Sequence, residues 1–163
     1  MSVSWQPTER DLIAFVYREA RLLDRKQYGE WYELFDDDGR YWVPLSGDQT
    51  DPVGEQSIAY EDKLLLRVRL ERLKSAKVYA HQPPIACQHV LQEPDIEKAD
   101  HQNGEYVLRT PFVYVEAQHS GQLILTGSVL HQLRVRGNVL RIVVKRVDLL
   151  NANAAQPAIY LFP

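Results

Sequence analysis

Cysteine is almost missing from this sequence: 163 residues contain one, Cys87. A lone thiol closes no internal disulfide and supplies no paired-cysteine metal site. The five histidines, His81, His89, His101, His119 and His131, are too far apart for a local His-x-x-His or His-Glu-x-x-His pair. No Gly-x-Gly-x-x-Gly follows a strand-like run and no Gly-Lys-Ser/Thr loop occurs, so nucleotide and dinucleotide cofactors are not expected. No apolar run approaches the ~18 residues of a membrane span, and the first twenty residues lack the apolar core of a secretion signal. Positive charge is in slight deficit, with 19 Lys and Arg against 22 Asp and Glu. That balance argues against a nucleic-acid partner, which needs clustered positive charge. A cytoplasmic, soluble protein is the expectation.

What is present is ordinary globular material, 45% hydrophobic and 25% charged. The length fits a single domain over residues 1–163. Thr8 followed by Asp11 forms a capping-box start, and Leu12, Val16, Ala20 and Leu23 continue at helical spacing. A second short helix is expected over about 25–34, with Tyr28, Trp31, Tyr32 and Phe35 on one face. Asp36-Asp37-Asp38-Gly39 reads as a helix-ending turn, followed by a strand at Arg40-Tyr41-Trp42-Val43-Pro44 that meets an edge or bulge at the proline. A third helix is expected over about 60–74, with Leu66, Leu70 and Leu73 inward and Arg67 pairing with Glu71. Polar stretches at 46–57 and 93–104 read as loops.

The second half reads as β. Four long strands are expected at about 85–92, 106–117, 122–136 and 139–150, separated by Asn103-Gly104, Ser120-Gly121 and Gly137-Asn138. Leu125, Gly127, Val129, His131, Leu133 and Val135 alternate onto one face of the third. The basic stretch from Arg134 to Arg146, which includes Arg136, Arg141 and Lys145, reads as a solvated strand face. Helices first and antiparallel strands after give an α+β fold, with a curved antiparallel sheet wrapped around three helices and a pocket between sheet and long helix.

The chemistry-bearing residues have modest readings. Cys87 sits in strand-like Ile85-Ala86-Cys87-Gln88-His89 and reads as a small buried residue rather than a nucleophile. The acidic run lacks the other ligands of a calcium loop. His89, His119 and His131 could be gathered by folding, but read better as hydrogen-bonded histidines.

Ordered along the chain, several segments resemble one family. They are Glu19-Ala20-Arg21-Leu22-Leu23-Asp24, Tyr28-x-x-Trp31, and Phe35-x-x-Asp38-x-x-Tyr41-Trp42-Val43-Pro44. Asp62 with Arg67-Val68-Arg69-Leu70-Glu71-Arg72-Leu73 follows, then Tyr79-Ala80-x-x-Pro83-Pro84, Lys145-Arg146-Val147-x-Leu149 and a short C-terminal strand at Ile159-Tyr160-Leu161-Phe162. The set resembles the small (beta) subunits of aromatic-ring-hydroxylating dioxygenases.

The resemblance implies a cystatin-like (nuclear transport factor 2-like) cone. It implies a non-catalytic subunit that forms a trimer and joins a catalytic alpha subunit in a three-plus-three hexamer for aromatic compound degradation. The alpha subunit would carry a Rieske 2Fe-2S cluster and a mononuclear iron, with no cofactor and no catalytic residue in this chain. One cysteine is too few for a Rieske cluster's two Cys and two His.

The sequence departs from the family after Pro83-Pro84. There the family shows Ser-Arg and a further Arg, and this chain has Ile85, Ala86, Cys87 and Gln88. Subunit-contact candidates are Tyr41, Trp42 and Pro44 at the expected strand edge, Arg67, Arg69 and Arg72 on the third helix, and Pro83, Pro84 and His89.

Two other readings compete. One is a stand-alone isomerase or dehydratase of the same fold: matched to ketosteroid isomerase from Phe35 to Pro44, the chain has Val43 where that enzyme's catalytic Asp sits, and valine abstracts no proton, while Tyr17 matches its helix-one tyrosine. A small-ligand binding module would use the pocket of the cone.

Overall fold

The computed structural model describes residues 5–75 and 83–163; Tyr79, Ala80 and His81 lie outside them. Helix α1 spans Glu9–Asp24. Its cap is the one the sequence spells: the Asp11 amide donates to the Thr8 hydroxyl, and the Thr8 amide donates to the Asp11 carboxylate. Helix α2 spans Tyr28–Glu33, and α3 spans Lys63–Lys74. The described residues hold seven strands, β1 (Phe35–Pro44), β2 (Ser57–Asp62), β3 (Ala86–Leu91), β4 (Asp95–Asp100), β5 (Glu105–Gln118), β6 (Gly121–Arg136) and β7 (Val139–Leu149).

All seven strands form one sheet in the order β2-β1-β7-β6-β5-β3, with β4 also paired to β5. The expected wholly antiparallel sheet needs one correction: β1 runs parallel to β7. The long β5–β6–β7 meander is antiparallel and supplies most of the inner surface. Leu125, Val129, Leu133 and Val135 of β6 face the core with Leu108, Phe112 and Tyr114 of β5. Helix α1 lays Leu12, Phe15, Val16, Ala20 and Leu23 on that surface, so the helices cover the concave side of the sheet.

Several expectations change. Asp36 to Gly39 do not form a free turn. They lie inside β1, where five residues pass while β7 advances two, a bulge between Phe35 and Arg40. A Cβ on Gly39 would stand 2.9 Å from the carbonyl oxygens of Asp36 and Ile142, so glycine is needed there. The stretch 46–57 ends in β2, and 93–104 contains β4. Both are short strands held mainly by backbone pairing with β1 and β5, each setting a single apolar side chain, Ala59 or Ile96, against the core, so alternation does not announce them. Helix α3 starts three residues later than expected, because Asp62 caps it by accepting from the Leu65 amide. Glu71 pairs with Lys74 rather than Arg67, whose guanidinium lies over the Tyr32 ring. The C-terminal segment is not a strand. Leu161 and Phe162 are buried as irregular chain, and Phe162 packs against Trp31, Tyr41 and Tyr28.

Gly127 marks the tightest approach in the sheet: a Cβ there would fall 1.9 Å from the carbonyl oxygen of Asp148. Gly127→Ala is expected to lower unfolding stability by about 1–3 kcal/mol, as strands β6 and β7 separate to relieve the overlap. Denaturant unfolding measures this directly.

Candidate functional site

The most chemically endowed place in the molecule is the interior between α1 and the sheet. Glu19 lies in the apolar stripe of α1, one turn from both Val16 and Leu23, and is 2% exposed. Its carboxylate accepts from the indole Nε1 of Trp31 at 3.1 Å, from Nε2 of His131 at 2.9 Å, and from Nζ of Lys145 at 2.8 Å. His131 and Lys145 are opposite one another on β6 and β7, and both are 2% exposed. Lys145 points inward because the ladder shifts register between Gln132 and Leu133, bringing Leu140, Ile142, Lys145, Val147 and Leu149 all onto the inner face. The expected solvated basic face therefore holds for Arg136 and in part for Arg134, but not for Lys145, nor for Arg146, whose side chain is 14% exposed and bonded to Asp148 and the Gly47 and Gln49 carbonyls. Arg134 and Arg136 reach the Asp36 carboxylate, so the acidic run and the basic stretch meet.

Burial opposes the ionisation of Glu19, but the Lys145 ammonium and the His131 hydrogen bond outweigh it and hold the carboxyl well below the usual range. Burial depresses the His131 pKa, against the pull of Glu19, and keeps the ring neutral. The cluster is thus a charged Glu19–Lys145 pair with a neutral imidazole and an indole completing the carboxylate's hydrogen bonds.

A second carboxylate–histidine pair lies nearby. Nδ1 of His89 is 2.6 Å from Asp24 at the end of α1, and the His89 amide donates to the same carboxylate. Cys87 is half-buried rather than buried as expected; its thiol is pushed up to about 11, chiefly by burial, and its Sγ contacts the Leu23 carbonyl at 3.6 Å.

These groups have no room for a substrate. The cavity they border has about 10 Å³, walled by Val16, Ala20, Leu91, Phe112 and Val129, where a small-molecule site needs about 300 Å³ or more. The expected pocket between sheet and long helix is thus filled. Larger depressions are surface clefts, such as one of about 440 Å³ beside Arg69 and Tyr41.

The contact candidates separate. Strand β1 is flanked by β2 and β7, so the expected sheet edge at Tyr41, Trp42 and Pro44 does not exist; a bulge at Val43/Pro44 accommodates the proline. All three are buried within the chain. The Tyr41 hydroxyl donates to the Pro163 carbonyl, and the Trp42 indole donates to Ser57 beneath the Arg146 guanidinium. Arg69 bonds Glu61 at 2.6 Å and the Leu161 carbonyl at 2.8 Å, and lies 4.0 Å over Phe162, which fastens the C-terminal segment in place. His89 is turned inward, its side chain 4% exposed. Arg67, Arg72, Pro83 and Pro84 are at the surface. Residues that sequence reasoning missed are Leu64, Leu65 and Val68, 68%, 50% and 46% exposed, which with Arg67 and Arg72 give α3 an outward apolar strip. Val90, Val113 and Ile124 similarly stand on the outer face of the sheet.

The model of the ring hydroxylating beta subunit matches residues 18–155. The chain belongs to that family. This beta-subunit chain is 30% identical to the 2-halobenzoate 1,2-dioxygenase small subunit of Burkholderia cepacia, over 86% of this chain and 87% of the relative. It is 29% identical to the small oxygenase component of the p-cumate 2,3-dioxygenase system of Pseudomonas putida, over 93% and 88%. Its fold is that of the benzoate 1,2-dioxygenase beta subunit from Burkholderia mallei, at a TM-score of 0.76 and 24% identity over 97% of this chain and 99% of that one. A naphthalene 1,2-dioxygenase structure aligns at a TM-score of 0.78 and 17% identity, over 92% and 82%. The cone with helices on the concave side of an unclosed sheet is therefore the beta-subunit fold, as the sequence resemblance implied.

For the beta-subunit chain the interior cluster predicts acid sensitivity. The folded pKa values of His131 and Glu19 both lie below their ordinary 6.5 and 4.5, so the unfolded chain binds more protons as pH falls. Stability is fully present above 6.5 and is lost downward, first through His131 and then, below 4.5, through Glu19. Glu19→Gln strands Lys145 in the interior and is expected to cost about 3–5 kcal/mol. Unfolding curves at several pH values check both statements.

Proposed function

We propose that this chain is the structural subunit of an aromatic-ring-hydroxylating dioxygenase, supporting a catalytic large subunit and acting through its outer surfaces. Membership of the beta-subunit family over most of the chain carries this reading. The large partner would hold the Rieske 2Fe-2S cluster and the mononuclear iron. The residues here do not fit either centre. Cys87 is the only cysteine of the sequence, and among the described residues no group of three His, Cys, Asp or Glu side chains is placed to hold a metal. The assembly proposed is three small and three large subunits, with each small subunit a single domain. An aromatic acid or arene is the substrate class of the complex, as the names of the relatives support.

The filled interior weighs against a stand-alone isomerase or a ligand-binding module. In this reading the large subunit docks on the outer strip of α3, which the exposed Leu64, Leu65 and Val68 support as its apolar centre, with Arg67 and Arg72 at its margin. Co-expression of the chain with its large subunit should give one complex near the three-plus-three mass. Leu64→Asp with Val68→Asp should release the large subunit while the small chain stays folded. A mass unchanged by the double substitution would place the docking surface elsewhere.

A further inference from the structure

Three buried polar atoms without partners belong to residues that line one small cavity. Among the described residues, Nε2 of His89, Nδ1 of His131 and Oγ1 of Thr110 have no hydrogen-bond partner. The His89 and His131 side chains are 4% and 2% exposed, and Thr110 is 0% exposed. All three residues line the same cavity of about 10 Å³ between α1 and strands β3, β5 and β6. Three unpaired groups around one cavity are costly, since each loses its hydration without compensation.

The outer nitrogens define what the site accepts. His89 gives its Nδ1 hydrogen to Asp24, and His131 gives its Nε2 hydrogen to Glu19. A neutral imidazole hydrogen-bonded in this way offers a lone pair at its other nitrogen, and the Thr110 hydroxyl supplies the donor. The complementary ligand has two donors, one acceptor and a volume of about one probe sphere.

We infer that this cavity is a binding site for a single water molecule, which donates to His89 Nε2 and His131 Nδ1 and accepts from Thr110 Oγ1. The water completes one chain of hydrogen bonds, Asp24–His89–water–His131–Glu19–Lys145, joining both carboxylates of α1 to three strands. Carboxylate-backed imidazoles also orient metal ligands. Here the Lys145 ammonium borders the same cavity and repels a cation, and only two imidazoles converge. Water is the better match.

A high-resolution crystal structure of the full chain should show one peak within hydrogen-bond distance of all three atoms, without anomalous signal. No peak, or a metal's anomalous peak, overturns the assignment. Thr110→Val reads the same question through its sign. If the hydroxyl serves a water, the substitution lowers the melting temperature by about 2–4 °C. If the hydroxyl is merely unpaired, an isosteric methyl leaves the melting temperature unchanged or raises it, and the site is refuted. Added Co²⁺ should produce no d–d absorption; a band lost in His131→Leu would overturn the water in favour of a metal.

Discussion

The Glu19–Lys145 ion pair holds the concave side of this molecule together. It joins the middle of α1 to the centre of the sheet, buried from bulk solvent. A charged pair in that setting survives only when every remaining donor and acceptor is used. Trp31 and His131 complete the Glu19 carboxylate. Trp31 also packs against Phe35 and Phe162, so the polar cluster and the aromatic core share a member. The helix cannot slide along the sheet without breaking these contacts together.

This interior explains why a fold able to hold a pocket is here a solid support. Charged and aromatic side chains occupy the space under α1, and Phe162, clamped by Arg69, closes the side near α3. Two carboxylate–histidine pairs are the kind of groups that carry acid–base chemistry, yet they face a space the size of one water. In a family whose named members are subunits of oxygenases, rigidity is the useful product of such packing. The molecule then offers its neighbours a fixed outer shape, with apolar residues on α3 and on the sheet.

Much of the fold was legible in the sequence. The α1 cap, the four long strands and the inward alternation of β6 follow from local pattern alone. Strands β2 and β4 were hidden because they are short and carry no regular apolar alternation, each being ordered by pairing with the neighbouring β1 or β5, and the acidic bulge in β1 looked like a turn because its bends need glycine. The interior cluster left traces. Glu19 interrupts an apolar helical stripe, and His131 shares the apolar face of β6. Lys145 shares its parity with Val147 and Leu149, although the bulge that reverses parity with respect to Ile142 could not be read. The contact candidates were less legible, since Tyr41 and Trp42 looked like edge residues until β2 covered that edge.

The coupling between Glu19 and Lys145 fixes α1 on the sheet, and a double-mutant cycle measures it. Glu19→Gln and Lys145→Met should each destabilise the chain strongly, while the double variant should lose less than the sum, by about 1–3 kcal/mol. Additive losses would mean that the two charges do not support one another, and the interior would need another explanation.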